Sequence, residues 1–357
     1  MRIALVSTPF LPVPPPAYGG TELVVGELAL ALRARGHEVV VYATGDSYLP
    51  GIEIRHYFVN SQWPPDPAVD AMHGAFCVRD ILRDPRGFDA VHLHDIGAVP
   101  VARHLDCPVI YTLHHDVDAQ LSARYLATPR LRVVAISHAQ ARCEIAPVEA
   151  VVHHGLDPAR FAVADDQGYL LFLGRYDRCK GPDLALEVAE RAGLPLVMAG
   201  APHDPEYWKE LKPRLARSNA LEVGPVGGRS KAALIARARA VLFPIRWDEP
   251  FGLVMIEAML SGVPVIGLAR GSVSEVIENG VTGVCCASVS EMVSAARGAE
   301  AMFDRSRVRA AAQQRWSASR MADEYLSLYR AVAPGAARGV VRAVATATVG
   351  DDTAANS

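Results

Sequence analysis

Short apolar runs of strand length alternate along this chain with stretches whose apolar residues recur at helical spacing. Residues 3–7 form the first run. After a proline-rich loop at 9–20, residues 21–35 place Leu23, Val24, Leu28, Ala31 and Leu32 on one helical face, and Gly36 stops the helix. Further strand-like runs follow at 38–44, 52–59, 90–93, 109–113, 133–136 and 150–152, with helical stretches between several of them. The alternation restarts at 169–173 and continues with strands at 196–199, 221–223, 240–245, 264–267 and 283–287. Helices at 183–192, 206–216, 231–238, about 251–260 and 273–277 separate them. Strand alternating with helix predicts an α/β fold of parallel, doubly wound sheets. Two rounds predict two Rossmann-like domains facing a central cleft, where ligands of open α/β sheets bind. The predicted partition is residues 1–163, then residues 164–315 beyond a linker at Asp165-Asp166-Gln167-Gly168. An amphipathic helix over 316–333 follows, carrying Met321, Tyr325, Leu328 and Tyr329, and the tail over 334–357 reads as disordered.

The stretch Glu249-Pro250-Phe251-Gly252-Leu253-Val254-Met255-Ile256-Glu257 departs from ordinary patterning. Pro250 and Gly252 break a loop into a helix beginning near Phe251. From Leu253 to Leu260 every side chain except Glu257 is apolar, so this helix has no solvent face. A lone carboxylate there is costly to desolvate unless it is hydrogen-bonded. Glu249 precedes backbone N–H groups without helical partners, which attract anions and sugar oxygens. Either both acids serve a ligand rich in hydroxyls and phosphate, or Glu257 is ion-paired in the core and Glu249 is a surface cap.

Leu173-Gly174-Arg175 ends a predicted strand, and Cys179-Lys180-Gly181 follows. Two cations around a glycine-containing loop suit a diphosphate, although solvated surface positions are their usual fate. Tyr18-Gly19-Gly20-Thr21 joins the first strand to the first helix and is not G-x-G-x-x-G, which disfavours a dinucleotide. Histidines cluster at strand ends: His92 and His94 with Asp95, His114 and His115 with Asp116, and His153 with His154. They raise a metal site as an alternative, but no fixed metal-ligand spacing accompanies them.

Composition narrows the class. Of 357 residues, 50% are hydrophobic and 21% charged, and the net charge of −3 gives no electrostatic case for nucleic acid. No apolar run approaches the roughly 20 residues of a membrane-spanning helix. The six cysteines show no C-x-x-C and read as reduced thiols, so a cytoplasmic location is expected. Peripheral membrane contact and the choice between monomer and homodimer stay open.

The segment from Pro244 to Gly262, with Val263-Pro264-Val265-Ile266 after it, resembles the E-x7-E signature of retaining GT-B glycosyltransferases of family 4. The resemblance extends from Met1 to about Ala333 and implies the GT-B architecture. It also implies that Glu249 holds hydroxyls of the donor sugar and Glu257 the ribose of its nucleotide. Arg175 and Lys180 match the family's G-R-x(n)-K-G pattern, which neutralises the leaving diphosphate. Gly19 and Gly20 match its Gly-Gly loop, which touches donor phosphate and acceptor. The loop around Val226 would read the base through backbone groups, and Phe251, Gly252 and Leu253 would complete the donor site. Thr112-Leu113-His114 matches a strand-end histidine beside the reacting sugar, with His115 open as the alternative because the residue is doubled. Ser137 matches a strand end near acceptor or phosphate. His153-His154-Gly155-Leu156-Asp157 departs from the usual Asn-Gly-Val-Asp-like turn and is read as an inter-domain linker contact. The activity implied is transfer from a UDP- or GDP-linked sugar, a co-substrate, to a hydroxyl acceptor with retention, without metal or other cofactor. A nucleotide-sugar hydrolase or epimerase on the same fold, a non-catalytic binding module, and a metal-dependent hydrolase built on the histidines are the alternatives.

Overall fold

The computed structural model describes residues 1–164 and 168–332. The predicted linker at Asp165-Asp166-Gln167 and the tail over 334–357 lie outside the described residues. Thirteen strands are present among them. The first sheet contains β1 (Arg2–Val6), β2 (Glu38–Tyr42), β3 (Glu53–Arg55), β4 (Ala90–Leu93), β5 (Val109–Thr112), β6 (Leu131–Ala135) and β7 (Val148–Val151). The second contains β8 (Tyr169–Leu173), β9 (Leu196–Ala199), β10 (Leu221–Gly224), β11 (Ala238–Phe243), β12 (Val265–Leu268) and β13 (Gly283–Cys286). The strand orders are β3-β2-β1-β4-β5-β6-β7 and β10-β9-β8-β11-β12-β13, with every pairing parallel. These are the two parallel, doubly wound sheets that the alternation predicted.

The central strands read as unbroken apolar runs because helices cover both faces of the sheet. In β1 and β2, Ile3, Leu5, Val39 and Val41 face one core, while Ala4, Val6, Val40 and Tyr42 face the other. The first core is covered by the helices Gly20–Ala34 and Ala318–Val332. The latter therefore packs on the first sheet although it follows the second in sequence. Tyr325, Leu326 and Tyr329 join Ile3 and Leu5 there. Its return is pinned by a two-sided bridge, with Leu156 N donating to Trp316 O and Ala318 N to Leu156 O, each at 2.9 Å.

Several boundaries differ from the sequence reading. The run over 52–59 yields only the three-residue β3, because beyond Arg55 the chain leaves the ladder. Phe58 bonds instead to Gly45 in the loop after β2, and Tyr57 and Val59 are exposed. The helix expected to begin near Phe251 begins at Leu253, after Gly252 in the left-handed region at φ 81°. The helix expected over 231–238 spans Gly228–Ala236. The last helix starts at Ala318 rather than residue 316, because Trp316 and Ser317 make the bridge to Leu156.

Candidate active site

In each sheet the strand order reverses beside the first strand of its round, between β1 and β4 and between β8 and β11. Loops leaving such a pair diverge to opposite faces and open a crevice at the carboxyl edge. Gly19 and Gly20 lie beyond β1 and His94 beyond β4, while Arg175 and Lys180 follow β8 and Glu249 follows β11. Topology thus brings together residues that sequence separates. A pocket of about 230 Å³ lies between the two sets of loops. Asp116, Gln140 and Arg142 line it from the first domain, and Asp248, Glu249 and Gly271 from the second.

Glu249 is 8% exposed. Its Oε2 accepts from Lys180 Nζ at 2.5 Å and from Trp247 Nε1 at 2.9 Å. Lys180 Nζ also lies 4.6 Å from the Trp247 ring centroid, a cation–π contact. Asp177 organises the lysine loop: its Oδ1 accepts from the Lys180 amide at 3.1 Å and from Cys179 Sγ at 2.8 Å. Gly181, at φ 69°, lets this loop meet the one after β11, where a Cβ would stand 2.1 Å from Pro244 O. Gly181→Ala should therefore destabilise the protein by about 1–3 kcal/mol or more, through left-handed strain and overlap with the backbone. Urea denaturation would check this, and a loss under about 0.5 kcal/mol, the range of ordinary surface substitutions, would contradict it. On the other side of Glu249, a Cβ on Gly271 would lie 2.4 Å from Glu249 N, and Ser272 N donates to Glu249 O at 2.9 Å.

Glu257 is 2% exposed, in the middle of the buried helix Leu253–Leu260. Lys231 Nζ donates to its Oε1 at 2.6 Å. Its Oε2 is enclosed with no partner among the described residues. Half of that carboxylate is thus paid for by a lysine that sequence reasoning did not name, and half faces no protein donor. Arg175 stands apart from the Lys180–Glu249 pair. Its Nε lies 3.4 Å from Asp177 Oδ2 and its Nη1 3.2 Å from His203 Nε2.

The remaining donor-site candidates sit where the domains touch. A Cβ on Gly20 would be 3.4 Å from Leu253 Cδ1, so the Gly-Gly loop meets the start of the buried helix. Gly19 packs on Pro15 and Leu11. Val226 is half-buried, and the adjoining Gly227 lies against the backbone of Pro16 and Ala17. Phe251 is enclosed at 2% exposure, its ring 5.0 Å from His154 and 5.8 Å from Trp316. It is a packing residue in this geometry.

The histidines separate into distinct groups. His92 is structural: its Nδ1 and Nε2 meet Tyr329 Oη at 2.7 Å and Thr112 Oγ1 at 2.8 Å. His94 Nδ1 lies 2.7 Å from His114 Nε2, and the His114 ring stacks on His154 at 5.3 Å. His115 turns the other way, to Tyr125 Oη at 2.7 Å and the carbonyl of Asp116 at 2.6 Å. His154, read from sequence as an inter-domain linker contact, lies against Phe251 of the second domain and also ends an imidazole row that runs from His92 through His94 and His114. Burial, with smaller repulsion from neighbouring imidazoles, holds His92, His94 and His154 well below the ordinary histidine value and takes His114 down to about 3. The row is neutral at physiological pH. Ser137, expected near acceptor or phosphate, is buried and caps the helix His138–Cys143 by accepting from Gln140 N at 3.0 Å.

Among the described residues, His138, His153 and Glu275 form the one group spaced to hold a metal. Glu275 already accepts from the amides of His138 at 2.7 Å and Ala139 at 2.5 Å and lies 3.2 Å from His153 Nε2. Arg142 stands 3.9 Å from the same carboxylate. This donor set makes it a polar clasp between the domains. Asp177, Trp247, Gly271 and Glu275 were not singled out from sequence. Only Trp247, two residues before Glu249, carried a usable signal.

Comparison with known proteins agrees with this geometry. Residues 18–160 match the family model Glycosyltransferase Family 4, and residues 156–316 match Glycosyl transferases group 1. The chain is 25% identical over 347 residues to the D-inositol 3-phosphate glycosyltransferase of Mycolicibacterium smegmatis, covering 79% of each. It is 27% identical over 346 residues to the glycogen synthase of Mycobacterium tuberculosis, covering 80% of this chain and 82% of that one. Among solved structures, AviGT4, a glycosyltransferase involved in avilamycin A biosynthesis, superposes with a TM-score of 0.70 at 27% identity, covering 93% of this chain and 98% of that one. Anabaena HepE, solved with UDP and glucose, shares the fold at a TM-score of 0.70 and 18% identity, covering 92% of this chain and 99% of that one. With two facing Rossmann-like sheets, an E-x7-E element at their cleft and both family models matched in order, the chain belongs to the group 1, family 4 glycosyltransferases of GT-B architecture.

Proposed function

We propose that this protein is a retaining glycosyltransferase that moves a sugar from a UDP- or GDP-linked donor to a hydroxyl acceptor, in the cytoplasm and without a metal. The observation that carries the reading is the pair of acid–lysine couples from the E-x7-E element, Glu249 with Lys180 and Glu257 with Lys231, the latter acid keeping an enclosed oxygen unpartnered among the described residues. Glu257 Oε2 accepts a ribose hydroxyl, which supplies the donor that the protein does not. Glu249 orients the sugar. As the bond from the sugar to the diphosphate breaks, negative charge builds on the diphosphate, and Lys180 with Arg175 stabilises it, a role that metal ions fill in other phosphate chemistry. The acceptor hydroxyl attacks from the face the diphosphate leaves and gives its proton to a departing phosphate oxygen, so the configuration is retained without a covalent enzyme intermediate. Relatives named for transfer to D-inositol 3-phosphate and for glycogen synthesis support a hydroxyl acceptor.

Thermal unfolding against a panel of nucleoside diphosphates and nucleotide sugars, with and without chelator, tests the donor site. One base should raise stability by about 2.7 kcal/mol at a hundredfold excess over its dissociation constant, and chelator should not change this. No shift with any nucleotide sinks the reading. In Glu257→Gln the affinity for that nucleotide should fall about 10- to 100-fold, the worth of one hydrogen bond to a charged group. Calorimetric titration measures it, and an unchanged affinity removes Glu257 from the ribose site.

A further inference from the structure

The row of imidazoles fixes where one proton sits. Between His94 Nδ1 and His114 Nε2, 2.7 Å apart, there is room for a single N–H. His94 is 3% exposed, and its other nitrogen, Nε2, is enclosed without a partner among the described residues. If the His94 proton were on Nε2, a buried N–H would go unpaired, which folded proteins rarely tolerate; an unused acceptor lone pair is the smaller cost. A second proton on the ring is opposed by burial and by the imidazoles of His92, His114 and His154 around it. His94 therefore carries its proton on Nδ1 and donates it to His114 Nε2. His114, neutral, must then hold its own proton on Nδ1. That nitrogen takes no bond from the described residues and is not sealed from solvent. It follows β5 at the carboxyl edge of the first sheet, on a ring stacked against His154, which abuts Phe251 of the second domain.

We infer that His94 is a positioning residue that holds His114 in its Nδ1–H tautomer, so that His114 offers a neutral hydrogen-bond donor to an oxygen of the sugar or acceptor in the cleft. The inference rests on the glycosyltransferase reading for the identity of that oxygen, whereas the tautomer stands on the geometry alone. Neutrality matters chemically. Glycosyl transfer passes through a sugar carrying oxocarbenium-like positive charge, and an imidazolium beside it would oppose that charge while a neutral N–H does not.

Long-range proton–nitrogen spectra of the full chain with labelled histidine, at pH 7, read the tautomer directly. The expected result is His114 protonated on Nδ1, the tautomer that free imidazole side chains disfavour. A His114 protonated on Nε2 in the wild-type protein overturns the inference whatever any variant does. His94→Phe keeps the stacked ring and removes the donor, whereas His94→Asn removes the ring and keeps an N–H donor at the position of Nδ1. In His94→Phe the His114 tautomer should change and kcat for transfer should fall about 10- to 100-fold, with the donor KM within about twofold, the signature of a lost transition-state contact. His94→Asn should recover most of that loss. If Phe is tolerated and Asn is not, His94 only packs, and the inference fails. If the wild-type protein transfers no sugar from any nucleotide sugar, the proposed function fails, and the wild-type spectrum still decides the tautomer.

Discussion

Lys180→Ala should lower kcat for sugar transfer about 10²- to 10³-fold, the usual cost of removing one preorganised group aimed at charge that develops in the transition state. Lys180 is a mobile point charge, but here it is held from three sides. Glu249 Oε2 lies 2.5 Å from its Nζ, the Trp247 ring lies 4.6 Å away, and its backbone is tied to Asp177. Such fixation means little reorganisation is needed when the diphosphate departs. Loss of the lysine also leaves Glu249, only 8% exposed, with Trp247 Nε1 as its remaining donor. Donor affinity should weaken less than kcat, because the leaving group gains most of its charge after binding. Lys180→Arg should recover part of the loss, since a guanidinium keeps the charge but not the ammonium's geometry. Initial-rate kinetics with the nucleotide sugar identified by thermal shift would measure this. Turnover within threefold of wild type would remove Lys180 from the reaction. Arg175 should matter less in the same assay until the donor draws it from Asp177 and His203.

The second large effect is acid instability. His92, His94, His114 and His154 have folded-state values below the unfolded value of about 6.5, chiefly through burial. The sign follows from proton counting. Above about pH 6.5 these rings are neutral in both states and contribute no pH dependence. Below it the unfolded chain takes up protons that the folded chain refuses, so stability falls as pH falls, down to the folded values; for His114 that floor is about 3. Each ring costs about 1.4 kcal/mol per pH unit. Four rings over two units give an upper bound of about 11 kcal/mol at pH 4.5, comparable to the whole stability of an ordinary protein. Burial raises Asp95, Glu22 and Glu27, which work in the opposite sense, but three carboxyls against these four imidazoles and His73, itself lowered to about 4, leave the sign unchanged. Urea unfolding at pH 7.5, 6.5, 5.5 and 5.0 should show a free energy flat at first and then falling steeply. A free energy constant from pH 7.5 to 5.0 would mean that the row is not buried and neutral as described.

Most of the architecture was legible in the sequence because it rests on local periodicity. Alternating strands and helices, the two rounds and the amphipathic last helix are set by which side chains must avoid water along each segment. The E-x7-E element was legible too, because a single acid in an otherwise apolar helix is an anomaly that needs no partner to be noticed. Short edges were less legible: β3 ends where the chain finds other hydrogen-bond partners, and periodicity does not report those.

The sequence by itself determined the fold class, the chain segments that carry charge and glycine at strand ends, and the presence of an acid in the core. Tertiary structure alone decided which groups meet. Lys231 reaches Glu257, Asp177 ties the lysine loop, Glu275 crosses to the amides of His138 and Ala139, and His154 stacks on His114. It also decided which of the doubled histidines turns to which neighbour, since His114 meets His94 while His115 meets Tyr125. The physical reason is range. Burial of apolar surface is additive along a segment and leaves a periodic trace, whereas a hydrogen bond or ion pair depends on two atoms a few ångströms apart, brought together by chain segments whose separation leaves no trace in either one.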